Sequence, residues 1–141
     1  MPTKKILIVE DDPDVREGMH VRLKANHYDT FVAADALTAL AEARKHQPDL
    51  IILDLGLPAG DGFVVMERLN RVPALALIPV IVVSARDVRA NQERAVRAGA
   101  KAFLQKPVDN AEFLAVIRRT LGEPGQPAEP LADTGEFLLL K

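Results

Sequence analysis

The chain has 141 residues, with 18 Lys and Arg against 20 Asp and Glu and a formal net charge of −2, so its overall charge points to neither nucleic acid nor an anionic membrane. Cysteine is absent, which excludes disulfides, thiolate metal sites and cysteine catalysis and fits a cytoplasmic protein. The longest apolar region, 74–83, is too short for a bilayer and is broken by Pro79, and the N-terminus carries no signal-peptide pattern.

In chain order, Ile6-Leu7-Ile8-Val9 is wholly apolar and ends in Glu10-Asp11-Asp12. Such a run suits a strand buried on both faces of a parallel sheet. Pro13 is acceptable at the first position of a helix with Asp12 as its cap, and Val15, Met19 and Leu23 recur at steps of four. Residues 28–33 read as a second strand. Asp35 can cap a helix to about Lys45, with Leu37, Leu40 and Ala41 on one face and Gln47-Pro48 as its stop. Leu50-Ile51-Ile52-Leu53 is a second all-apolar run, and Asp54 follows it directly, ahead of Leu55-Gly56-Leu57-Pro58.

Asp61-Gly62 opens a third helix carrying Val65, Met66 and Leu69. Residues 80–83 form the fourth strand, and Ser84-Ala85 leaves its end. Asp87 can cap a fourth helix, with Val88, Ala95 and Val96 inward and Gly99 as its C-terminal stop. Ala102-Phe103-Leu104 is a short fifth strand, ended by Gln105-Lys106-Pro107. The last helix spans about 110–121, with Phe113, Ile117 and Leu121 at steps of four and Leu114 beside them. Strand and helix thus alternate five times, which predicts an α/β fold: a doubly wound, five-stranded parallel sheet with five helices on its two faces. From Gly122 onward the composition is that of a linker or flexible tail. For its apolar close, Phe137-Leu138-Leu139-Leu140, the readings are docking on the domain or a partner, the start of a further module, or a frayed end, the last being the simplest.

Asp11 and Asp12 follow the first strand, Asp54 the third, Ser84 the fourth and Lys106 the fifth. In a parallel sheet these ends share one edge, where ligands bind. Gathered carboxylates repel, so they imply a cation, and a hard divalent ion such as Mg²⁺ fits oxygen ligands beside phosphate. Carboxylate, metal, hydroxyl and lysine are the parts needed to transfer a phosphoryl group onto an aspartate. Taken singly, Asp12 reads as a helix cap, Ser84 as a loop serine and Lys106 as a surface lysine. Their common placement at one edge, in order, favours a site.

Val9-Glu10-Asp11-Asp12, the Asp54-Leu55-Gly56-Leu57-Pro58 run with Asp61-Gly62, Val83-Ser84-Ala85, Gly99-Ala100 and Lys106-Pro107 resemble the receiver domain of bacterial two-component response regulators, over about 5–121. The resemblance implies the flavodoxin-like strand order 2-1-3-4-5 and a phosphoacceptor (receiver) domain over 1–121, with 122–141 a tail or truncated linker. It implies Asp54 as phosphoacceptor, with Mg²⁺ held by Asp11, Asp54 and the Gly56 backbone carbonyl and by Asp12 through water. Ser84 and Lys106 would grip the phosphoryl group, and the Lys106-Pro107 bond would be cis. Ser84 and Phe103 would form a switch, in which the ring turns inward on phosphorylation. The implied function is a phosphorelay signalling module. It would be phosphorylated by a sensor histidine kinase or histidine phosphotransfer protein and read by a protein target at the fourth helix, fifth strand and fifth helix.

Three departures from the pattern matter. Phe103 stands where many members have tyrosine, Gly56 and Arg86 occupy positions that tune phosphoryl lifetime, and Lys101 and Ala102 replace the acids of one kind of family dimer. A turnover enzyme of this fold would want an acid-base carboxylate two residues past the nucleophile, and that position is Gly56. The expectation is therefore self-catalysed phosphotransfer rather than turnover. No direct nucleic-acid binding by this chain and no membrane association are expected.

Overall fold

The computed structural model describes residues 3–57, 62–85, 88–123 and 138–140. Its elements are β1 (Lys5–Val9), α1 (Pro13–Ala25), β2 (Asp29–Ala33), α2 (Ala36–His46), β3 (Leu50–Leu53), α3 (Gly62–Arg71), α4 (Pro73–Ala76), β4 (Val80–Ser84), α5 (Val88–Arg97), β5 (Ala102–Gln105), α6 (Asn110–Thr120) and β6 (Leu138–Leu140). All strand pairs are parallel, in the order β2-β1-β3-β4-β5-β6. The expected five-stranded order 2-1-3-4-5 is present, with a sixth strand added beyond β5 and a short sixth helix, α4, inserted before β4.

Alternation along the strands divides the apolar residues into two cores. Leu7, Val9, Ile51, Leu53, Val82 and Phe103 face α2, α3, α4 and α5. Ile6, Ile8, Leu50, Ile52, Ile81, Val83, Ala102 and Leu104 face Leu23 of α1 and Phe113, Val116 and Ile117 of α6. This is why residues 6–9, 50–53 and 80–83 are written without polar residues: each side chain meets a helix layer on one face or the other. Each buried Leu, Ile or Val contributes about 1.5–3 kcal/mol relative to exposure.

The helix ends follow the sequence closely. Asp12 Oδ1 accepts from the N–H groups of Asp14 (2.9 Å) and Val15 (3.3 Å). Asp35 Oδ1 accepts from the Thr38 N–H, which holds its carboxyl below the usual range. Asp109 caps α6 through the Glu112 N–H, and Gly99, at φ +100°, ends α5 in a conformation that favours glycine.

Two helix faces differ from the expectation. On α2 the inward residues are Ala36, Ala39 and Ala43, while Leu37 is 76% exposed and Ala41 also faces out; only Leu40 of the expected face is partly buried. Alanines let the helix lie close to the sheet, and their weak hydrophobicity hid the true face from a reading led by leucine. On α5, Ala95 is buried but Val96 is 45% exposed. Helix α4 begins at Pro73, whose fixed φ suits a first helical position, and it drives Leu75 into the core. The caps expected at Asp61 and Asp87, the inward place of Val88, the lifetime position Arg86 and most of the tail lie outside what the structure describes. The last leucines are not a frayed end: they pair with β5.

Candidate functional site

The strand register brings the polar positions level. Val9 lies opposite Leu53, Leu53 opposite Val82, and Ser84 opposite Gln105. Backbone bonds carry the ladder one residue further: Glu10 N–H to Ala33 O (3.0 Å), Asp54 N–H to Val9 O (3.0 Å) and Lys106 N–H to Ser84 O (2.9 Å). Glu10, Asp54 and Lys106 therefore leave the sheet from fixed backbone positions at its carboxyl edge, where open α/β sheets bind ligands.

Carboxylate oxygens of Glu10, Asp11 and Asp54 all lie within 4.8 Å of one another. Glu10 and Asp54 are buried, and Asp11 is exposed. Lys106 Nζ donates to Glu10 Oε1 at 2.6 Å and lies 3.5 Å from Asp54 Oδ2. Burial pushes the Glu10 carboxyl above its ordinary value, against the hydrogen bond from Lys106. Burial alone would lower the Lys106 ammonium, but the Glu10 hydrogen bond and the charges of Asp54 and Glu10 outweigh it and raise it. Three carboxylates against one ammonium leave a negative excess. An all-oxygen set of that charge, open to solvent at Asp11, fits a hard divalent cation such as Mg²⁺.

The loop after β3 is shaped around Asp54. Leu55 and Leu57 are buried, and Gly56 between them is exposed. The Gly56 N–H donates to Asp54 Oδ1 at 3.1 Å. A Cβ at Gly56 would stand 3.8 and 3.9 Å from the two Asp54 carboxylate oxygens. At Gly62 a Cβ would fall 2.5 Å from the Asp54 carbonyl oxygen and 2.8 Å from Leu55 Cα, so glycine is what allows α3 to start against this backbone.

Of the residues expected from sequence, Asp11, Asp54, Ser84 and Lys106 come to this edge. Ser84 is the last residue of β4 and is 1% exposed rather than on a loop. Asp12 is not in the acidic group; its carboxylate is engaged at the start of α1, and Glu10 takes the third place. The signal for Glu10 was available in the register, because it follows Val9 as Asp54 follows Leu53. Arg16 was also missed. Its guanidinium donates to the Glu10 carbonyl (3.0 Å) and the Asp11 carbonyl (3.4 Å), holding the acidic turn from α1. Phe103 is 0% exposed, so the expected inward turn of its ring has no outward starting point in this conformation. The Lys106-Pro107 bond is cis.

The family model for the response regulator receiver domain matches residues 6–118. The chain belongs to this family. It is 35% identical over 121 residues to the polar-differentiation response regulator DivK of Brucella ovis, covering 86% of this chain and 98% of DivK. It is 37% identical over 114 residues to the response regulator PleD of Caulobacter vibrioides, covering 81% of this chain but 25% of PleD, so the chain spans about a quarter of that relative. Among solved structures, the receiver domain of a Pseudomonas aeruginosa sensor histidine kinase superposes with a TM-score of 0.79 at 26% identity. The match covers 86% of this chain and 100% of that one, which is described with a magnesium ion coordinated in its active-site cleft. The receiver fold here is thus that of a phosphorelay signalling family. No helix among the described residues is long and apolar enough to cross a membrane.

Proposed function

We propose that this receiver domain accepts a phosphoryl group on Asp54 from a phosphohistidine of a sensor kinase or phosphotransfer protein, in a reaction that needs Mg²⁺. The observation that carries this reading is the placement of Asp54 between an acidic pair and a lysine at one sheet edge. An Asp54 oxygen attacks phosphorus, the P–N bond to the donor imidazole breaks, and the imidazole nitrogen keeps the electron pair and takes a proton. Asp54 is buried on a backbone fixed by its N–H bond to Val9 O, so little freedom is lost on reaching the attack geometry. Lys106 is already charged and lies 3.5 Å from Asp54 Oδ2, within reach to donate to a phosphoryl oxygen there.

Glu10, Asp11, Asp54 and the Gly56 carbonyl are the groups that would hold Mg²⁺. The ion supplies positive charge that offsets the acids and the incoming phosphoryl oxygens. The chain supplies no carboxylate at position 56 to release the phosphoryl group again, which supports a signalling role over turnover. The proposed readout is a protein target at the surface of α5, β5 and α6. That surface is joined to the site because β5 runs directly into Lys106.

Incubation with acetyl phosphate tests the reading. With Mg²⁺ the intact mass should rise by one phosphoryl group, and with a chelator in its place it should not. Equal labelling under both conditions would remove the metal from the mechanism, and no labelling under either would remove the phosphoacceptor role.

A further inference from the structure

We propose that the outer edge of β5 is a strand-docking site held in cis by the chain's own C-terminal strand, and that a partner gains this edge only by displacing β6. The second half rests on the output face proposed above; the first does not.

In the 2-1-3-4-5 order β5 is terminal, and an unpaired strand edge is a template for another strand. Here the template is used. Leu138, Leu139 and Leu140 pair in parallel with Ala102, Phe103 and Leu104. The Lys101 N–H goes to Val80 O on the β4 side at 2.8 Å. Backbone groups alternate along a strand, so Phe103 also faces β4, while Ala102 and Leu104 present theirs to β6. Between Thr120, the last residue of α6, and Leu138 the chain has more than the dozen or so residues that a parallel return needs.

The added strand is only three residues long, well short of the usual 5–6, so its own pairing is weak and opens readily. What keeps it in place is the covalent tether, which holds a linked segment at an effective concentration on the order of millimolar. A short pairing with a high local concentration is a displaceable cap. It protects the edge from casual strand addition yet yields to a partner that binds better. One residue, Gln105, separates Leu104 from Lys106, so the capped strand runs directly into the proposed phosphoryl site.

Amide hydrogen exchange on the full chain reads the cap directly. Ala102 and Leu104 should be protected in the wild type. Leu139→Pro, which removes a backbone donor from β6, should speed their exchange at least about tenfold while leaving Phe103 unchanged. Leu104 exchanging as fast in the wild type as in the variant would overturn the docking. Protection should not change on dilution; protection lost on dilution would show a strand from a second copy and overturn the cis arrangement. A synthetic peptide of residues 136–141 should perturb the Leu104 resonance of Leu139→Pro at a concentration at least about tenfold below that needed for the wild type. Equal binding to both would overturn the cap. These measurements use no phosphate, so their failure leaves the Asp54 reading standing, and failure of that reading leaves the docking standing.

Discussion

Glu10 holds the Lys106 ammonium at 2.6 Å, closer than Asp54 does at 3.5 Å. The residue expected to grip an incoming phosphoryl group is thus stored on a neighbouring carboxylate, within reach of the nucleophile but bonded more tightly elsewhere. Glu10 also accepts the Asp12 N–H through its other oxygen, at 3.1 Å. One buried side chain therefore ties the start of α1, the end of β5 and the acidic group together.

This arrangement separates Glu10 from Asp12 by experiment. Glu10→Gln should weaken Mg²⁺ binding by roughly tenfold or more, the usual cost of losing a group that supports a metal site. Asp12→Asn should bind Mg²⁺ nearly as the wild type does and keep its stability, because asparagine caps a helix as well as aspartate. Calorimetric titration of both variants checks this, and an equal loss in Asp12→Asn would return Asp12 to the metal group.

Gly62→Ala should be costly although only a methyl is added. Its Cβ would meet the Asp54 carbonyl oxygen at 2.5 Å and Leu55 Cα at 2.8 Å, and both are backbone. Forcing them apart should cost about 1–3 kcal/mol, a fall in Tm of at least about 4 °C in a domain of this size. It should also slow phosphorylation, since the displaced backbone carries Asp54. A variant with wild-type Tm and labelling rate would show that α3 simply shifts to make room.

Tyr28 offers a clean pH test, because it is the only tyrosine and there is no tryptophan. Its hydroxyl donates to Glu123 Oε1 at 2.6 Å. Burial, then this acidic partner, pushes its pKa from 10.0 up to about 12. A phenol raised on folding stabilises the native state fully below its unfolded pKa and loses that contribution as the pH rises through the folded one. Tyr28→Phe should therefore cost about 1 kcal/mol at neutral pH. The gap to the wild type should close between pH 10 and about 12. Tyrosinate absorbance follows the same group; a native midpoint at 10 would contradict the assignment.

Much of this molecule was legible in its sequence because the informative residues act locally. Apolar runs such as Ile6-Leu7-Ile8-Val9 must be strands with helices on both sides, and Asp12 and Asp35 act on N–H groups two or three residues away. The features that the sequence did not announce share a different cause. Glu10 and Asp12 flank Asp11 symmetrically in sequence, and only the pairing of Val9 with Leu53 decides which one lies level with Asp54. The inward face of α2 is written in alanines, whose burial depends on how closely the helix approaches the sheet. The docking of 138–140 depends on an edge built by residues far away in the chain, which no local pattern announces.

Phe103 behaves as a core residue in this conformation, fully buried among Val82, Ala95 and Ala100. Phe103→Ala should accordingly cost about 3–5 kcal/mol, with a Tm fall of more than about 10 °C. A surface switch that only turns inward on phosphorylation would tolerate the change with little loss. Thermal melting of the unphosphorylated variant distinguishes the two, and a small change in Tm would restore the switching ring.

The most direct test of the central claim is the intact mass of Asp54→Asn after incubation with acetyl phosphate and Mg²⁺. The substitution keeps the shape of the side chain on its fixed backbone at the end of β3 and removes the nucleophilic carboxylate. The account predicts that the wild type gains one phosphoryl group and the variant none. A variant that gains a stable phosphoryl group at the wild-type rate would contradict it and place the acceptor elsewhere.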